Sequence, residues 1–200
     1  KIANFCNVSP DAVVQSLDMP TIYEVPLRMQ EQGLDATILR KLDMPVGETP
    51  GLGPWRSFLD RRHKATKEVH IGLVGKYDLQ DAYKSILEAL SQAGTYNDLK
   101  VKSHFVNSEK LTPENVAETL KVYDGLVICP GFGQRGTEGK IIAARYGREQ
   151  NVPTFGICLG MQMMVVEFGR NVLGLNDANS VELNPTTPFN VIDLMEDQKN

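Results

Sequence analysis

An open, mostly parallel, flavodoxin-like α/β sheet with helices on both faces is the fold class this sequence predicts, and three observations predict it. From residue 69 onward, short and almost wholly apolar runs alternate with longer stretches of helical period. Those runs lack the apolar-polar alternation of a strand with one wet face, so both faces of each strand are expected to be covered. Glycine-rich breakers then follow two of the runs, at residues 130–136 and 156–160, at the strand ends where ligands gather in such sheets.

The elements follow in order. Residues 2–6, Ile2-Ala3-Asn4-Phe5-Cys6, read as a short strand, Ser9-Pro10-Asp11 as a turn, and residues 12–16 as a second strand-like piece. A helix is expected near residues 21–32, where Ile22, Val25 and Met29 recur at three- and four-residue spacing. Residues 1–44 are too few to fold alone, and the chain opens directly on an apolar stretch, which reads as a cut through a larger protein. Residues 45–54 hold six closely spaced glycines and prolines, so a linker is expected over residues 45–68, ending in a basic helix with Trp55, Phe58 and Leu59 on one face. Strands are then expected at 69–74, 101–106, 125–129 and 153–156, with helices near 82–93, 114–122, 137–150 and from 159. Right-handed crossovers between parallel strands lead to the doubly wound sheet. An Asn-, Pro- and Thr-rich tail from residue 176 precedes a last apolar stretch at 191–195, so the sheet is expected to be unfinished where the sequence stops.

Bulk properties narrow the function. The 200 residues carry a formal net charge of -4 with dispersed Lys and Arg, which argues against nucleic acid or an anionic membrane as main partner, because both require concentrated positive charge. No apolar run approaches the roughly 20 residues a bilayer span needs, so the expected location is the cytoplasm. The three cysteines, Cys6, Cys129 and Cys158, are odd in number and widely spaced, indicating neither a disulfide framework nor a zinc site. No metal site is expected within the chain.

The sharpest chemical feature is Gly156-Ile157-Cys158-Leu159-Gly160, a Gly-x-nucleophile-x-Gly pattern between an expected strand and an expected helix. A nucleophile on so tight a turn needs small residues two positions away on each side, because the backbones come close there. The start of the following helix offers unpaired N–H groups and a positive dipole end, which favour a thiolate and stabilise an oxyanion. A structural cysteine in a glycine-rich turn is the alternative.

A second loop, Pro130-Gly131-Phe132-Gly133-Gln134-Arg135-Gly136, directly follows the expected strand at 125–129. Its breakers leave backbone N–H groups directed into the crevice, a cradle for the oxyanion of an acyl-transfer intermediate. Gly131, Gly133 and Gly136 also satisfy the bare Gly-x-Gly-x-x-Gly spacing of a dinucleotide site, but no Asp or Glu ends the strand at 153–156 to hold a ribose.

These two loops, with Val74-Gly75-Lys76-Tyr77, Asp81-Ala82-Tyr83-Lys84-Ser85, Thr137-Glu138-Gly139-Lys140, Met161-Gln162, Asp177-Ala178-Asn179-Ser180 and Ile22-Tyr23-Glu24-Val25-Pro26, resemble the CTP synthase family in order and at its spacing, over essentially the whole chain. The resemblance implies a class I glutaminase domain from about residue 69 to 200, a linker at 45–68, and the end of a synthetase domain at 1–44. It implies an amidoligase in which ATP phosphorylates the uracil oxygen of UTP and ammonia released from L-glutamine displaces the phosphate to give CTP. Magnesium would accompany ATP, GTP would be an allosteric activator, and the intact enzyme would be a homo-oligomer, a tetramer.

By that family's pattern Cys158 attacks the glutamine amide, Gly131 and Leu159 supply oxyanion N–H groups, and the turn Gly160-Met161 with Gln162 and Glu182 binds the substrate, a carboxylate being the natural partner of its ammonium group. Lys84, Phe132 and Arg135 fall at the GTP positions, where a cation and an aromatic face suit phosphate and base. Leu17, Asp18 and Met19 fall at the adenine contacts of ATP. Two departures stand out: Pro130-Gly131 replaces the Gly-Gly pair of many members, and the family's catalytic His in a His-Pro-Glu context is absent from these 200 residues. The chain alone is therefore expected to be nearly inactive. The competing readings are the glutaminase of another amidotransferase, against which residues 1–44 and Asn179-Ser180 argue, and a non-catalytic flavodoxin-like module.

Overall fold

The computed structural model describes residues 1–48, 51–77 and 80–198, so Thr49 and Pro50 of the expected linker lie outside the described residues. The chain divides into two compact units, Lys1–Lys64 and Ala65–Asn200.

The first unit is helical. It contains α1 (Ile2–Phe5), α2 (Val25–Glu31), α3 (Leu34–Lys41) and α4 (Gly53–Lys64), with single 3-10 turns at Pro10–Ala12 and Ile22–Glu24. The strand expected at residues 2–6 is instead the single turn α1, closed by Phe5 N–H donating to Lys1 O at 3.0 Å and Cys6 N–H to Ile2 O at 2.9 Å. The reason is general: a short apolar run satisfies its own backbone groups as a helical turn, whereas a strand requires a partner ladder. The strand-like piece at 12–16 is likewise irregular after the 3-10 turn. The helical spacing at 21–32 is realised as the 3-10 turn running into α2, and α3 is an additional helix. A small aromatic core of Tyr23, Phe58 and Leu59, flanked by Trp55, holds the unit. Trp55 Nε1 donates to Tyr23 O at 2.7 Å, and the Tyr23 and Phe58 rings lie 5.3 Å apart.

The second unit is the parallel sheet the alternation predicts. Strands β1 (Lys67–Gly75), β2 (Leu99–Asn107), β3 (Gly125–Ile128) and β4 (Thr154–Gly156) alternate with α5 (Lys84–Tyr96), α6 (Val116–Leu120), α7 (Thr137–Glu149) and α8 (Leu159–Asn171). All four strands are parallel, in the order β2-β1-β3-β4. The central strand β3 is buried along its whole length, as its continuous apolar run predicts, whereas the edge strands β2 and β4 are not covered on both faces as expected: Lys100 and Lys102 of β2 are exposed and Phe155 of β4 is 66% exposed. Val74, Leu126 and Ile128 pack on one face with Leu120 of α6 and Ala143 of α7, while Leu73, Val127 and Cys129 pack on the other with Leu87 and Leu90 of α5. The last apolar stretch forms a short parallel pair, β5 (Asn179–Ser180) with β6 (Asn190–Ile192), separate from the main sheet.

The strand order reverses between β1 and β3. At such a switch point the loops leaving the two strands go to opposite faces and open a crevice at their carboxyl ends. Residues Lys76 and Pro130–Gly136 therefore flank the crevice, and the end of β4 brings Cys158 to the same rim.

Candidate active site

Cys158 occupies the turn between β4 and α8 with φ 53° and ψ −116°, as the N-cap of α8. A left-handed φ is unusual for a residue with a side chain and is held only where the surroundings fix it. Here they do. Ile157 N–H donates to Ile128 O at 3.0 Å, Gly160 N–H to Ile157 O at 2.8 Å and Gln162 N–H to Cys158 O at 3.1 Å. A methyl group on Gly156 would meet the backbone N and Cα of Met161 at 2.7 Å, and one on Gly160 would overlap Ile128 O. Both flanking glycines are thus required by close backbone approach, as the pentapeptide predicts.

The two free thiols of this unit differ sharply. Cys158 is exposed. Cys129 is fully buried, its Sγ directed to Val127 O at 3.7 Å, and burial pushes its thiol up to about 12. Cys129 is accordingly an inert core thiol at neutral pH.

The loop after β3 lies against this turn. A methyl on Gly131 would stand 3.8 Å from Leu159 Cδ2, and Leu159 itself is buried at the first position of α8. The N–H groups at the start of α8 have no partner within the helix. Two lysines hold the loop. Lys76 Nζ donates to Phe132 O and lies 3.5 Å from Gly133 O, while Lys140 Nζ donates to Cys129 O at 2.7 Å and Pro130 O at 3.4 Å. Gln134 Nε2 donates to Leu183 O at 2.6 Å, which ties the segment carrying Glu182 to the loop. Glu182 is exposed, with its N–H bonded to Ser180 Oγ at 3.2 Å. Gln162 Oε1 is buried without a hydrogen-bond partner, an unmet acceptor next to the turn, and Met161 is 46% exposed on the same first turn.

The remaining sequence-predicted residues fall elsewhere. Phe132 presents its ring to solvent at 78% exposure. Arg135 pairs with Glu109 at 2.6 Å and lies 5.9 Å from the Tyr77 ring centroid, and Lys84 pairs with Glu88 at 2.9 Å. Leu17, Asp18 and Met19 lie in the separate first unit on irregular backbone, where Met19 alone of the three lines a cleft of about 380 Å³ with Glu24, Arg28 and His63. His70 and His104 pair with each other at 3.0 Å. Gly72 is level with Leu126 and Thr154 across the sheet, so His70 stands six residues below Cys158, roughly 20 Å at about 3.3 Å per residue. Neither histidine serves this thiol.

Sequence reasoning assigned no role to Lys76, Gln134 or Lys140. Lys140 is fully buried, with burial lowering its pKa to about 8. Its helical context in the sequence is that of any surface lysine, and only the glycines around it mark close packing.

Comparison with known proteins agrees with this geometry. The family model described as glutamine amidotransferase class-I matches residues 78–191, and that described as CTP synthase N-terminus matches residues 1–44. The chain is 69% identical over 201 residues to the CTP synthase of Bacteroides thetaiotaomicron and 58% identical over 200 residues to that of Porphyromonas gingivalis, in each case over 100% of this chain and 37% of the relative. It thus spans a little over a third of the length of these relatives. Among solved structures, the glutaminase domain of Trypanosoma brucei CTPS with bound acivicin superposes with TM-score 0.61 at 39% identity, covering 66% of this chain and 52% of that one. With the class-I model matching more than half of its residues and CTP synthases matching it from end to end, the chain belongs to the glutamine amidotransferase class-I family, in its CTP synthase branch.

Proposed function

We propose that residues 69–200 carry the glutamine-hydrolysing centre of an amidoligase that makes CTP from UTP, ATP and L-glutamine, with Cys158 as nucleophile. The observation that carries this reading is the exposed thiol at positive φ on a strand-to-helix turn that packs on the Pro130–Gly136 loop. The thiolate sulfur attacks the side-chain amide carbon, and the oxyanion that forms accepts from the N–H groups of Gly131 and Leu159. The C–N bond then breaks, the nitrogen leaves as ammonia, and water cleaves the thioester to glutamate. Gln162, whose carbonyl is unmet, and Glu182 hold the amino-acid end of the substrate, with Gly160 and Met161 shaping the floor. Proton delivery to the nitrogen belongs to a histidine of the full-length protein, since His70 and His104 bind each other in the middle of the β1–β2 ladder, away from the rim that carries Cys158.

The same reading assigns residues 1–44 to the end of the synthetase domain and 45–68 to a linker, with Leu17, Asp18 and Met19 at the ATP adenine. Lys84, Phe132 and Arg135 would meet GTP, Arg135 by exchanging its exposed pair with Glu109 for a phosphate. Among the described residues no group of three or more His, Cys, Asp or Glu is placed to hold a metal ion, so magnesium is assigned to none of them. No described helix is long and apolar enough to cross a membrane. A cytoplasmic homotetramer completes the proposal.

Treating the full-length protein with a chloroketone analogue of glutamine tests the assignment. Modification is expected at Cys158 alone, with glutamine protecting it. Modification at Cys129, or none, would favour the non-catalytic module.

A further inference from the structure

We propose that Lys140 is a positioning residue that aims the oxyanion N–H of the loop after β3, an inference that rests on the glutaminase reading of Cys158. Lys140 enters on α7, four residues beyond the N-cap Gly136, with its side chain fully buried. Two physical terms disfavour a cation there. Burial removes its hydration, and the amino-terminal end of a helix carries partial positive charge. A second cation, Lys76, is close enough to depress its pKa further, while Cys129 and Cys158 act in the opposite sense. An apolar side chain of equal length would spare the cost of the buried cation but would leave the Cys129 carbonyl unpaired, so the account of this lysine lies in the carbonyls it binds.

The geometry supplies one. Lys140 Nζ bonds Cys129 O at 2.7 Å and Pro130 O at 3.4 Å. In a trans peptide the carbonyl and the following N–H point in opposite directions from one rigid plane. Holding Pro130 O toward the protein interior therefore turns the Gly131 N–H the other way. Proline at position 130 has no N–H of its own, so the two carbonyls are what the protein can grip at this bend. The position expected for Cβ on Gly131 lies 3.5 Å from Lys140 Nζ and 3.8 Å from Leu159 Cδ2, which places the gripped peptide between the lysine and the turn bearing Cys158. Lys140 touches no substrate in this account and acts through the backbone.

The test replaces Lys140 in the full-length protein with Met, similar in length and uncharged, and with Gln, which can still donate to one carbonyl. Glutamine hydrolysis, thermal melting and the rate of Cys158 alkylation by iodoacetamide are measured together. Alkylation at a saturated carbon forms no oxyanion and so reports the thiol without the loop. The expected result for Lys140→Met is a fall in kcat of about 100-fold, the effect of losing one oxyanion donor. KM for glutamine should change less than about 3-fold, alkylation should slow far less than kcat falls, because Lys140 and Cys158 interact only weakly through charge, and the melting temperature should drop by only a few degrees, as for loss of one buried hydrogen bond, with Lys140→Gln recovering part of the rate. The proposal is overturned by an unchanged kcat. It is equally overturned if the loss is matched by an equal slowing of alkylation, if melting falls so far that the variants are partly unfolded at the assay temperature, or if neither variant folds, since each outcome marks a structural lysine. Failure of the underlying reading is separate: wild-type protein and Cys158→Ala would then hydrolyse glutamine equally.

Discussion

Replacing Cys158 by Ala in the full-length protein is expected to lower glutamine-dependent CTP formation by at least about 10⁴-fold, the scale on which removal of a covalent nucleophile acts. CTP formation from added ammonia should persist, because that route bypasses the thiol. No neighbouring group can stand in. Cys129 is fully buried with its thiol pushed up to about 12. The Cys158 side chain is exposed and packs no core, so thermal stability should change little. Parallel assays with glutamine and with ammonium chloride check both halves of this expectation. Loss of both activities together would mean that Cys158 matters for structure or for coupling.

The second large effect is expected at Gly160. A Cβ there would overlap the carbonyl oxygen of Ile128, approach Ile128 C at 2.6 Å and reach Cys129 O at 3.1 Å. These are backbone atoms at the end of a fully buried strand, whose residues Ile128 and Cys129 are 0% exposed. They cannot rotate away as a flexible side chain would, so α8 must shift and carry the turn with it. Overpacking of this kind costs about 1–3 kcal/mol, and a displacement near 1 Å at the reacting groups costs about 100-fold in rate. Gly160→Ala is expected to lose at least that factor in glutamine hydrolysis while retaining ammonia-dependent synthesis. Steady-state kinetics and a denaturant melt of the same preparation check it.

How far the sequence carried these conclusions depended on the kind of signal. The strands of the second unit were legible because burial on both faces leaves an apolar run that turns and helices bracket, as in Leu126-Val127-Ile128. The turn at Cys158 was legible because close backbone approach excludes every residue but glycine at positions 156 and 160. Residues 2–6 misled because a five-residue apolar run has no period long enough to distinguish a helical turn from a strand. Lys140 was invisible for another reason. Nothing in composition or spacing distinguishes a lysine whose Nζ bonds the carbonyls of Cys129 and Pro130 from one in solvent, since the distinction lies in how α7 folds back on the loop after β3. The pairing of His70 with His104 was also hidden, being set by the register of β1 against β2.

The central claim is that glutamine is opened by Cys158 through a covalent intermediate. It is tested most directly by quenching the full-length protein in acid during turnover with glutamine and mapping its peptides by mass spectrometry. A γ-glutamyl thioester on the peptide bearing Cys158, absent without glutamine and absent in Cys158→Ala, is the predicted result. Sustained glutamine hydrolysis with the acyl group on Cys129 or Cys6, or with undiminished turnover in Cys158→Ala, would contradict it.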